Sequence, residues 1–235
     1  MKRHDIQQDP WKQAAGEAAA QLVENDMVIG LGTGSTANFL IQALARRIQA
    51  GLHIVGAIPS SETSKTLASN LGIPITTLDE HQEIDLCIDG ADEIDPQLQL
   101  IKGGGGALLR EKIVATASRR FVVIADESKL VERLGLHFPV PVEVIPFAAT
   151  PVRRQLEALG ASVQLRQHEG KVFISENHNL IFDCSFPQGI SNPAELDAHM
   201  QQIVGVVETG LFLHMAQSAI VAGPTGVKTI SPPRA

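Results

Sequence analysis

The sequence predicts an α/β protein: a Rossmann-like parallel sheet with helices on both faces, and a smaller ferredoxin-like α+β domain inserted before the C-terminal strands. Two observations predict this fold class. Between residues 11 and 125, alternating strand-like segments and amphipathic helical segments follow a βαβα order, which is typical of a parallel sheet. Between residues 140 and 209, the order becomes β-α-β-β-α-β, which is ferredoxin-like.

The first region is predicted from its apolar periodicity and its turn residues. An alanine-rich segment predicts a helix at residues 11–24, and a glycine-rich turn leads into a helix of about four turns that ends at Ala50. The other predicted elements are helices at 61–71 and 108–117 and strands at 27–31, 53–58, 73–77, 83–89 and 121–125. Strands at 218–221 and 226–230 are too few to fold alone, so we expect them to return to the first sheet.

Three prolines between residues 139 and 146 mark a crossover into the second region. The elements predicted beyond them are strands at 140–145, 161–166, 180–184 and 205–209 and helices at 150–159 and 193–202, the last capped by Asn192. We therefore expect a Rossmann-like catalytic domain of residues 1–138 and 210–235 and a ferredoxin-like domain of residues 139–209.

The composition limits the classes of partner. The 235 residues are 44% hydrophobic and 19% charged, with a net charge of −7. This charge disfavours nucleic acid and anionic membrane surfaces as partners, because they bind proteins with an excess of lysine and arginine. It permits a small anionic ligand in a local cationic pocket. Cys87 and Cys184 are expected to be buried free thiols, and the N-terminal residues lack the apolar core of a signal peptide. Both features favour a cytoplasmic location.

Residues 30–36, Gly-Leu-Gly-Thr-Gly-Ser-Thr, lie between a predicted strand and helix, where backbone N–H groups and the helix dipole favour an anion. With Ala37 as the third small residue, the spacing also permits a dinucleotide fingerprint. The next strand, 53–58, has no acidic residue at its end to bind a ribose hydroxyl, so NAD is poorly supported. We therefore expect a monophosphate, because the hydroxyls of Thr33, Ser35 and Thr36 can each donate one hydrogen bond to it. The candidate phosphate ligands are Thr33, Gly34, Ser35 and Thr36.

Residues 88–112 concentrate charge and glycine. The preceding strand ends at Asp89, and ligands of open α/β sheets bind at the carboxyl ends of strands, so Asp89 and Asp92 are candidate site residues. Lys102 precedes four glycines, which suit a loop that brings N–H groups against an anion or oxyanion. The helix that follows carries Glu111 in its early turns, where the dipole favours a carboxylate.

Several separate motifs are distributed over nearly the whole chain. They are Gly32-Thr-Gly-Ser-Thr36, Asp89-Gly-Ala-Asp-Glu93, Lys102-Gly-Gly-Gly105, Arg110-Glu-Lys112, Ser128-Lys129, Pro141-Val-Glu-Val-Ile-Pro146 and Gly226-Val-Lys-Thr229. Together they resemble the type A ribose-5-phosphate isomerases. The resemblance implies a cofactor-independent aldose–ketose isomerase that interconverts ribose 5-phosphate and ribulose 5-phosphate in the non-oxidative pentose phosphate pathway. It also implies a homodimer or a dimer of dimers whose partner is a small-molecule sugar phosphate.

Such a reaction moves a proton between adjacent carbons through an enediolate, so it needs one base and donors that face the developing oxyanion. Glu111 is the candidate base, and the resemblance places the proton acceptor at the same residue. Lys102 and the glycine N–H groups are candidate oxyanion donors, while Asp89 and Asp92 would move hydroxyl protons and open the ring. The resemblance assigns substrate contacts to Asp89, Gly90, Ala91, Asp92, Lys102, Gly103, Gly104 and Gly105. Positive charge for the phosphate is expected from Lys129 and Lys12.

The local sequence leaves alternatives open for these residues. Glu111 lies between two cationic residues and could belong to a solvated helix face. Asp89 and Asp92 could instead form a turn and a helix cap, and Lys129 alone could be a surface lysine. The acidic residues Asp92, Glu93 and Asp95 could ligate Mg²⁺, although Lys102 would repel a cation.

No metal is expected, because the eight histidines show no H-x-H or H-E-x-x-H pattern, and the resemblance implies a reaction without a cofactor. Two other functions remain open. A non-enzymatic sugar-phosphate sensor would need a DNA-binding helix-turn-helix, for which the roughly ten residues before the first helix leave no room. A CoA-transferase relative would form a thioester on Glu111. Three features depart from the family pattern: the fourth glycine after Lys102, and the segments 185–190 and 213–223.

Overall fold

The computed structural model describes residues 3–232, with side chains from residue 10 onward. The helices are α1 (Arg3–Ala20), α2 (Ser35–Gln49), α3 (Glu62–Asn70), α4 (Leu108–Thr116), α5 (Ala149–Ala158) and α6 (Pro193–Gln201). The strands are β1 (Val28–Leu31), β2 (Gly56–Pro59), β3 (Leu86–Gly90), β4 (Glu93–Ile94), β5 (Leu100–Ile101), β6 (Phe121–Asp126), β7 (Val140–Val144), β8 (Ser162–Leu165), β9 (Gln167–His168), β10 (Lys171–Val172), β11 (Leu180–Ser185), β12 (Val206–Thr209), β13 (Leu211–Phe212), β14 (Ser218–Gly223) and β15 (Gly226–Ile230). Within these residues, no helix has the length and apolar character needed to cross a membrane.

The main sheet has the strand order β15-β14-β6-β3-β1-β2. Every neighbouring pair from β14 to β2 is parallel, and β15 adds an antiparallel edge strand. The two C-terminal strands therefore return to the first sheet, as predicted. The parallel arrangement brings the carboxyl ends of β6, β3, β1 and β2 to the same edge.

Successive residues of β1 face opposite sides of the main sheet, and both sides carry helices. Ile29 and Leu31 are fully buried in the apolar cluster that includes side chains of α1 and α2. Gly30 faces the other side, where an added Cβ would lie 2.7 Å from Val114 of α4. The predicted Rossmann-like sheet with helices on both faces is thus confirmed.

A second sheet has the order β12-β7-β11-β8, with every neighbouring pair antiparallel. Together with α5 and α6, these strands have the β-α-β-β-α-β chain order and confirm the ferredoxin-like prediction. Val152, Leu156 and Met200 from the two helices are buried in one apolar cluster with the strands. Cys184 lies in the same cluster, and burial raises the pKa of its thiol to about 12. Both cysteines are free and buried, as expected.

The internal contacts divide the chain into two compact units. Within the described residues, the first contains the chain up to Ala91, Arg110–Lys129 and the chain from Met215, while the second contains Asp92–Leu109 and Leu130–His214. The predicted limits, 1–138 with 210–235 and 139–209, assign residues 92–109 to the first domain. These residues join the second unit because β4 and β5 form a three-stranded sheet with β13. The ends at 1–2 and 233–235 lie outside the described residues, and the domain limits stay a prediction.

Glu93 organises a loop of the second unit. Its side chain is 1% exposed, and its carboxylate accepts hydrogen bonds from the N–H groups of Gly135 at 2.6 Å, His137 at 2.7 Å and Phe138 at 2.8 Å. An irregular segment would otherwise bury these donors without acceptors. The three bonds therefore fix the loop that leads into β7.

Most predicted helices and longer strands agree with the structure within a few residues. The first helix differs, because α1 begins at Arg3, eight residues before the predicted start at residue 11, and ends at Ala20, four residues before the predicted end. The strand predicted at 73–77 is wrong. That segment forms only an isolated bridge between Ile75 and Ala57. Pro74 has no N–H to donate to a ladder, which limits the pairing. The two-residue strands β4, β5, β9, β10 and β13 were not predicted.

Asp95 is a buried acidic residue in the turn between β4 and β5. Burial raises the pKa of this carboxyl above its ordinary 3.8, an effect that hydrogen bonds from the N–H groups of Gln99 and Gln97 oppose. The folded state therefore binds the proton more tightly than the unfolded state. Asp95 lowers the stability as the pH rises from 3.8 through the raised pKa.

We predict that Asp95→Asn melts at a higher temperature than the wild type at pH 7, because the amide oxygen still accepts both N–H bonds and carries no charge. The difference should vanish below pH 3.8, the ordinary pKa of the group. Asp95→Ala, which loses both acceptors, should melt below the wild type at either pH. An Asn variant that melts no higher than the wild type at pH 7 would contradict this account.

Candidate functional site

Four neighbouring strands of the main sheet end at one edge, and most of the first unit's candidate residues follow these ends. Residues 32–36 follow β1, Gly90 and Ala91 end or follow β3, and the turn Glu127–Lys129 follows β6. Lys129 is half-buried there. Lys12 is half-buried on α1, which packs against α2 and β6. The parallel sheet thus places the predicted phosphate turn and Asp89 on adjacent strands.

Asp89 ties the end of β3 to the turn after β1. Its side chain is 1% exposed, and Oδ1 accepts hydrogen bonds from the N–H groups of Thr33 at 2.9 Å and Gly90 at 2.7 Å. The carboxylate packs so closely that a Cβ at Gly32 would lie 1.9 Å from Oδ1. Residue 32 must therefore be glycine for the turn and the carboxylate to occupy these positions.

The turn after β1 presents backbone donors. Gly34 precedes α2 with a φ of 110°, and no side chain caps the helix there. Gly34 and Ser35 are exposed, while Thr36 is half-buried. The N–H groups of a helix's first turn have no acceptor within the helix, and the positive end of the helix dipole lies beside them. This geometry suits an anion.

A buried hydroxyl cluster beside this turn was missed by the sequence prediction. Thr33 Oγ1 donates to Ser61 Oγ at 2.8 Å and lies 2.9 Å from Ser60 Oγ. Ser64 Oγ in turn donates to the carbonyl oxygen of Gly32 at 2.7 Å. The sequence signal was the serine pair after β2, with Ser61 capping α3. Because the Thr33 hydroxyl donates into this cluster, a direct contact from it to phosphate stays a prediction.

Glu111 lies in the first turn of α4 and is 4% exposed. The neighbouring Arg110 is half-buried, and its guanidinium lies 3.6 Å from the carboxylate of Glu62. The alternative that Glu111 belongs to a solvated helix face is therefore wrong. A carboxylate is buried only at a large desolvation cost, which makes it a candidate for function.

In the second unit, Asp92 contacts the glycine-rich turn. The N–H of Gly104 donates to Asp92 Oδ2 at 2.8 Å, and the N–H of Asp92 donates to the carbonyl oxygen of Ile101 at 2.8 Å. Lys102 is 2% exposed, and its Nζ lies 5.3 Å from the centre of the Phe212 ring. The structure thus brings Asp92 and the glycines together and buries the adjacent lysine.

Residues Gly103–Gly106 form a tight turn, which we call the glycine turn. The N–H of Gly106 donates to the carbonyl oxygen of Gly103 at 2.9 Å, and Gly104 and Gly105 between them are exposed. Gly106 has a φ of 84°, and a Cβ there would lie 2.3 Å from Phe173 Cζ. The fourth glycine, which departs from the family pattern, is therefore required by this turn.

The alternative Mg²⁺ site at Asp92, Glu93 and Asp95 conflicts with their hydrogen bonding. Each of the three carboxylates accepts at least one backbone N–H, and the Glu93 carboxylate accepts three. Each N–H donor occupies one of the roughly four lone-pair positions of a carboxylate, so Glu93 in particular keeps little capacity for a cation. Among residues 10–232, no group of three His, Cys, Asp or Glu side chains is arranged to hold a metal ion.

We predict that Gly32→Ala destabilises the protein by about 1–3 kcal/mol, the usual cost of overpacking, because the new methyl group overlaps the Asp89 carboxylate. Gly90→Ala is the matched control on the same edge, since the nearest atoms to its Cβ lie 3.9 Å away and its φ is not positive. Urea denaturation should show a lower midpoint for the first variant only. Equal midpoints would contradict the close packing of Asp89 against Gly32.

Comparison with known proteins identifies the family. A model of ribose 5-phosphate isomerase A (phosphoriboisomerase A) matches residues 56–226. Ribose-5-phosphate isomerase A of Bacillus mycoides is 51% identical over 217 residues, which cover 92% of this chain and 97% of that relative.

Solved structures agree with this result. Ribose 5-phosphate isomerase A from Methanocaldococcus jannaschii matches with a TM-score of 0.89 and 43% identity, covering 94% of this chain and 97% of that one. A D-ribose-5-phosphate isomerase in complex with phospho-erythronic acid matches with a TM-score of 0.92 and 40% identity, covering 95% and 99%. The chain therefore belongs to the ribose 5-phosphate isomerase A family.

Proposed function

We propose that this protein interconverts D-ribose 5-phosphate and D-ribulose 5-phosphate by proton transfer through an enediolate. The observation that carries the proposal is the burial of a carboxylate, Glu111, and an ammonium group, Lys102, within the motifs of this family. The reaction needs a base and a cationic donor in a site from which water is largely excluded. No metal or cofactor takes part in the proposed reaction.

Glu111 is the proposed base. It removes the proton from C2 of the aldose and returns it to C1, so the same carboxylate acts first as base and then as acid. Its position in the first turn of α4 sets it near the positive end of the helix dipole, which favours a carboxylate there. Burial restricts its rotamers and thereby fixes the direction in which it accepts the proton.

Lys102 and the glycine turn are the proposed donors to the enediolate oxygens. A buried ammonium group interacts more strongly with a developing negative charge than an exposed one, because the local dielectric is lower. The N–H groups of Gly103 and Gly105 would add neutral donors. The N–H of Gly104, also a candidate donor from the sequence, donates to the Asp92 carboxylate and orients it. A preorganised oxyanion donor typically contributes about 3 kcal/mol to transition-state stabilisation.

Asp89 and Asp92 are proposed to move hydroxyl protons and to assist ring opening. Both carboxylates are oriented by backbone N–H groups, Asp89 by Thr33 and Gly90 and Asp92 by Gly104. A fixed orientation supports proton transfer along a defined direction. Gly90 and Ala91 would contact the substrate through the backbone.

The phosphate group is proposed to bind at the N-terminus of α2. The exposed Gly34 and Ser35 and the half-buried Thr36 supply N–H and hydroxyl donors, and the helix dipole favours the dianion. Lys129 and Lys12 would add positive charge. Thr33 supports the turn through its hydrogen bonds to the serine cluster.

The ligand of one solved relative supports this chemistry. Phospho-erythronic acid is a sugar acid that carries a carboxylate and a phosphate group. The planar, anionic carboxylate resembles the enediolate, so an active site that stabilises the enediolate should bind such an acid tightly. The homodimer or dimer of dimers stays a prediction from the family resemblance, and the cytoplasmic location stays a prediction from the free cysteines and the N-terminal residues.

We predict that Glu111→Gln lowers the turnover of ribose 5-phosphate by about 10²–10⁴-fold, because the amide cannot accept the proton, while ribose 5-phosphate still binds. Glu157→Gln on the exposed face of α5 is the control and should leave turnover unchanged. Ketose formation would be followed in a coupled assay and binding by calorimetry. Near-wild-type turnover by the Glu111 variant would contradict its role as the base.

The turnover and binding measurements test the sensor function, and a separate incubation tests the CoA-transferase function. A wild-type protein that binds ribose 5-phosphate without turning it over would favour the sensor. A thioester on Glu111 after incubation with an acyl-CoA would favour the CoA-transferase relative.

A further inference from the structure

Arg166 holds the glycine turn from the side of the second sheet. Its Nη1 donates to the carbonyl oxygens of Gly103 at 2.7 Å and Gly104 at 3.2 Å. These bonds join a residue beyond the end of β8 to a turn more than 60 residues earlier in the chain. The guanidinium therefore contacts the backbone of the proposed oxyanion donors.

Asp183 fixes the position of that guanidinium. Its Oδ2 accepts from Arg166 Nε at 3.0 Å, and its Oδ1 accepts from Nη2, so the pair is bidentate. Asp183 lies on β11, opposite Gln164 of β8, and residues 164 and 166 point to the same side of the sheet. The Arg166 and Asp183 side chains are only 11% and 21% exposed. The pair of Arg166 and Asp183 is therefore held in place by the second sheet.

The geometry of the peptide bond gives these contacts a consequence for the donors. In a trans peptide, the C=O of one residue and the N–H of the next point in opposite directions. With the carbonyl oxygen of Gly103 directed at Arg166, the N–H of Gly104 points away from it, and this N–H donates to Asp92 at 2.8 Å. With the carbonyl oxygen of Gly104 bound to the same Nη1, the N–H of Gly105 also points away from the arginine.

A turn of four glycines has little conformational preference of its own, so its peptide planes must be fixed by outside contacts. We propose that Arg166 and Asp183 are positioning residues for the isomerase reaction, because they set the orientation of the N–H groups of Gly104 and Gly105 and of the Asp92 carboxylate. A cation bound to the two carbonyl oxygens also polarises the peptides, which strengthens their N–H groups as donors. This inference rests on the function proposed above.

A direct substrate contact by Arg166 is the alternative. The residue lines a cavity of about 550 Å³ with Phe138, His168 and Phe173, and an arginine in a cavity suits an anion. The bidentate bond to Asp183 and the two carbonyl acceptors already use Nε, Nη1 and Nη2. The two roles differ in kinetics, because a phosphate ligand mainly affects KM, whereas a positioning residue for oxyanion donors mainly affects kcat.

The test uses Arg166→Lys, Arg166→Ala and Asp183→Asn in the full chain. We expect each variant to lower kcat for ribose 5-phosphate by about 10–100-fold with little change in KM, the effect of a misplacement of about 1 Å. Their affinity for phospho-erythronic acid should fall by about the same factor as kcat/KM, since that acid resembles the enediolate. Added guanidinium ion should restore part of the activity of Arg166→Ala and none of the activity of Asp183→Asn.

Arg153→Ala is the matched control. Arg153 likewise donates to a backbone carbonyl oxygen, that of Val163 at 2.8 Å, and to a carboxylate, that of Glu157 at 3.1 Å. Arg153→Ala should have the kcat of the wild type, and added guanidinium ion should not change its activity. Melting curves identify the variants that fold like the wild type, and the kinetic comparison is made among these.

Wild-type kcat in folded Arg166→Lys and Asp183→Asn would overturn the positioning role. A raised KM with unchanged kcat would overturn it in favour of a direct substrate contact. An inactive wild-type protein would instead overturn the proposed isomerase function, so the two failures are distinguishable.

Discussion

The cost of burying charge is the constraint on which the candidate site depends. Asp89, Lys102 and Glu111 are 1%, 2% and 4% exposed, although each carries a charge in its ordinary state at neutral pH. Such burial is unfavourable unless hydrogen bonds or opposite charges compensate for the lost water. The chain meets this requirement partly through its backbone, since two N–H groups donate to Asp89. Buried charges are suited to stabilise a charged intermediate, because the local dielectric around them is low.

A charged side chain contacts the backbone of each glycine-rich turn, and the two side chains have opposite charges. The turn after β1 is fixed by a carboxylate, Asp89, which accepts a backbone N–H from Thr33. The glycine turn is contacted by a guanidinium, Arg166, which donates to two carbonyl oxygens. In each case glycine permits the close approach or the positive φ, and a charged side chain from a distant segment supplies the rigidity that glycine lacks.

Much of this arrangement follows from sequence, and the remainder depends on contacts that have no local signal. Periodicity predicts the long strands and helices, and the position of a strand end makes Asp89 a candidate. Glu111 is a candidate because it follows the glycine-rich stretch near the N-terminus of a helix. Two-residue strands such as β4 have no periodicity to detect. The hydroxyl cluster of Thr33, Ser60 and Ser61 requires the side-chain register of two adjacent parallel strands. Arg166 lies in an irregular segment far from the turn it contacts, so no spacing rule indicates it.

In the proposed reaction, a single buried carboxylate transfers a proton through an enediolate. Proton NMR of ribose 5-phosphate turned over in D₂O tests this claim most directly, because an abstracted proton exchanges with solvent before it is returned. Deuterium should enter C1 of ribulose 5-phosphate and C2 of ribose 5-phosphate, and none should be incorporated with Glu111→Gln. Full interconversion with no deuterium in either sugar would contradict it, since the hydrogen would then pass directly from carbon to carbon.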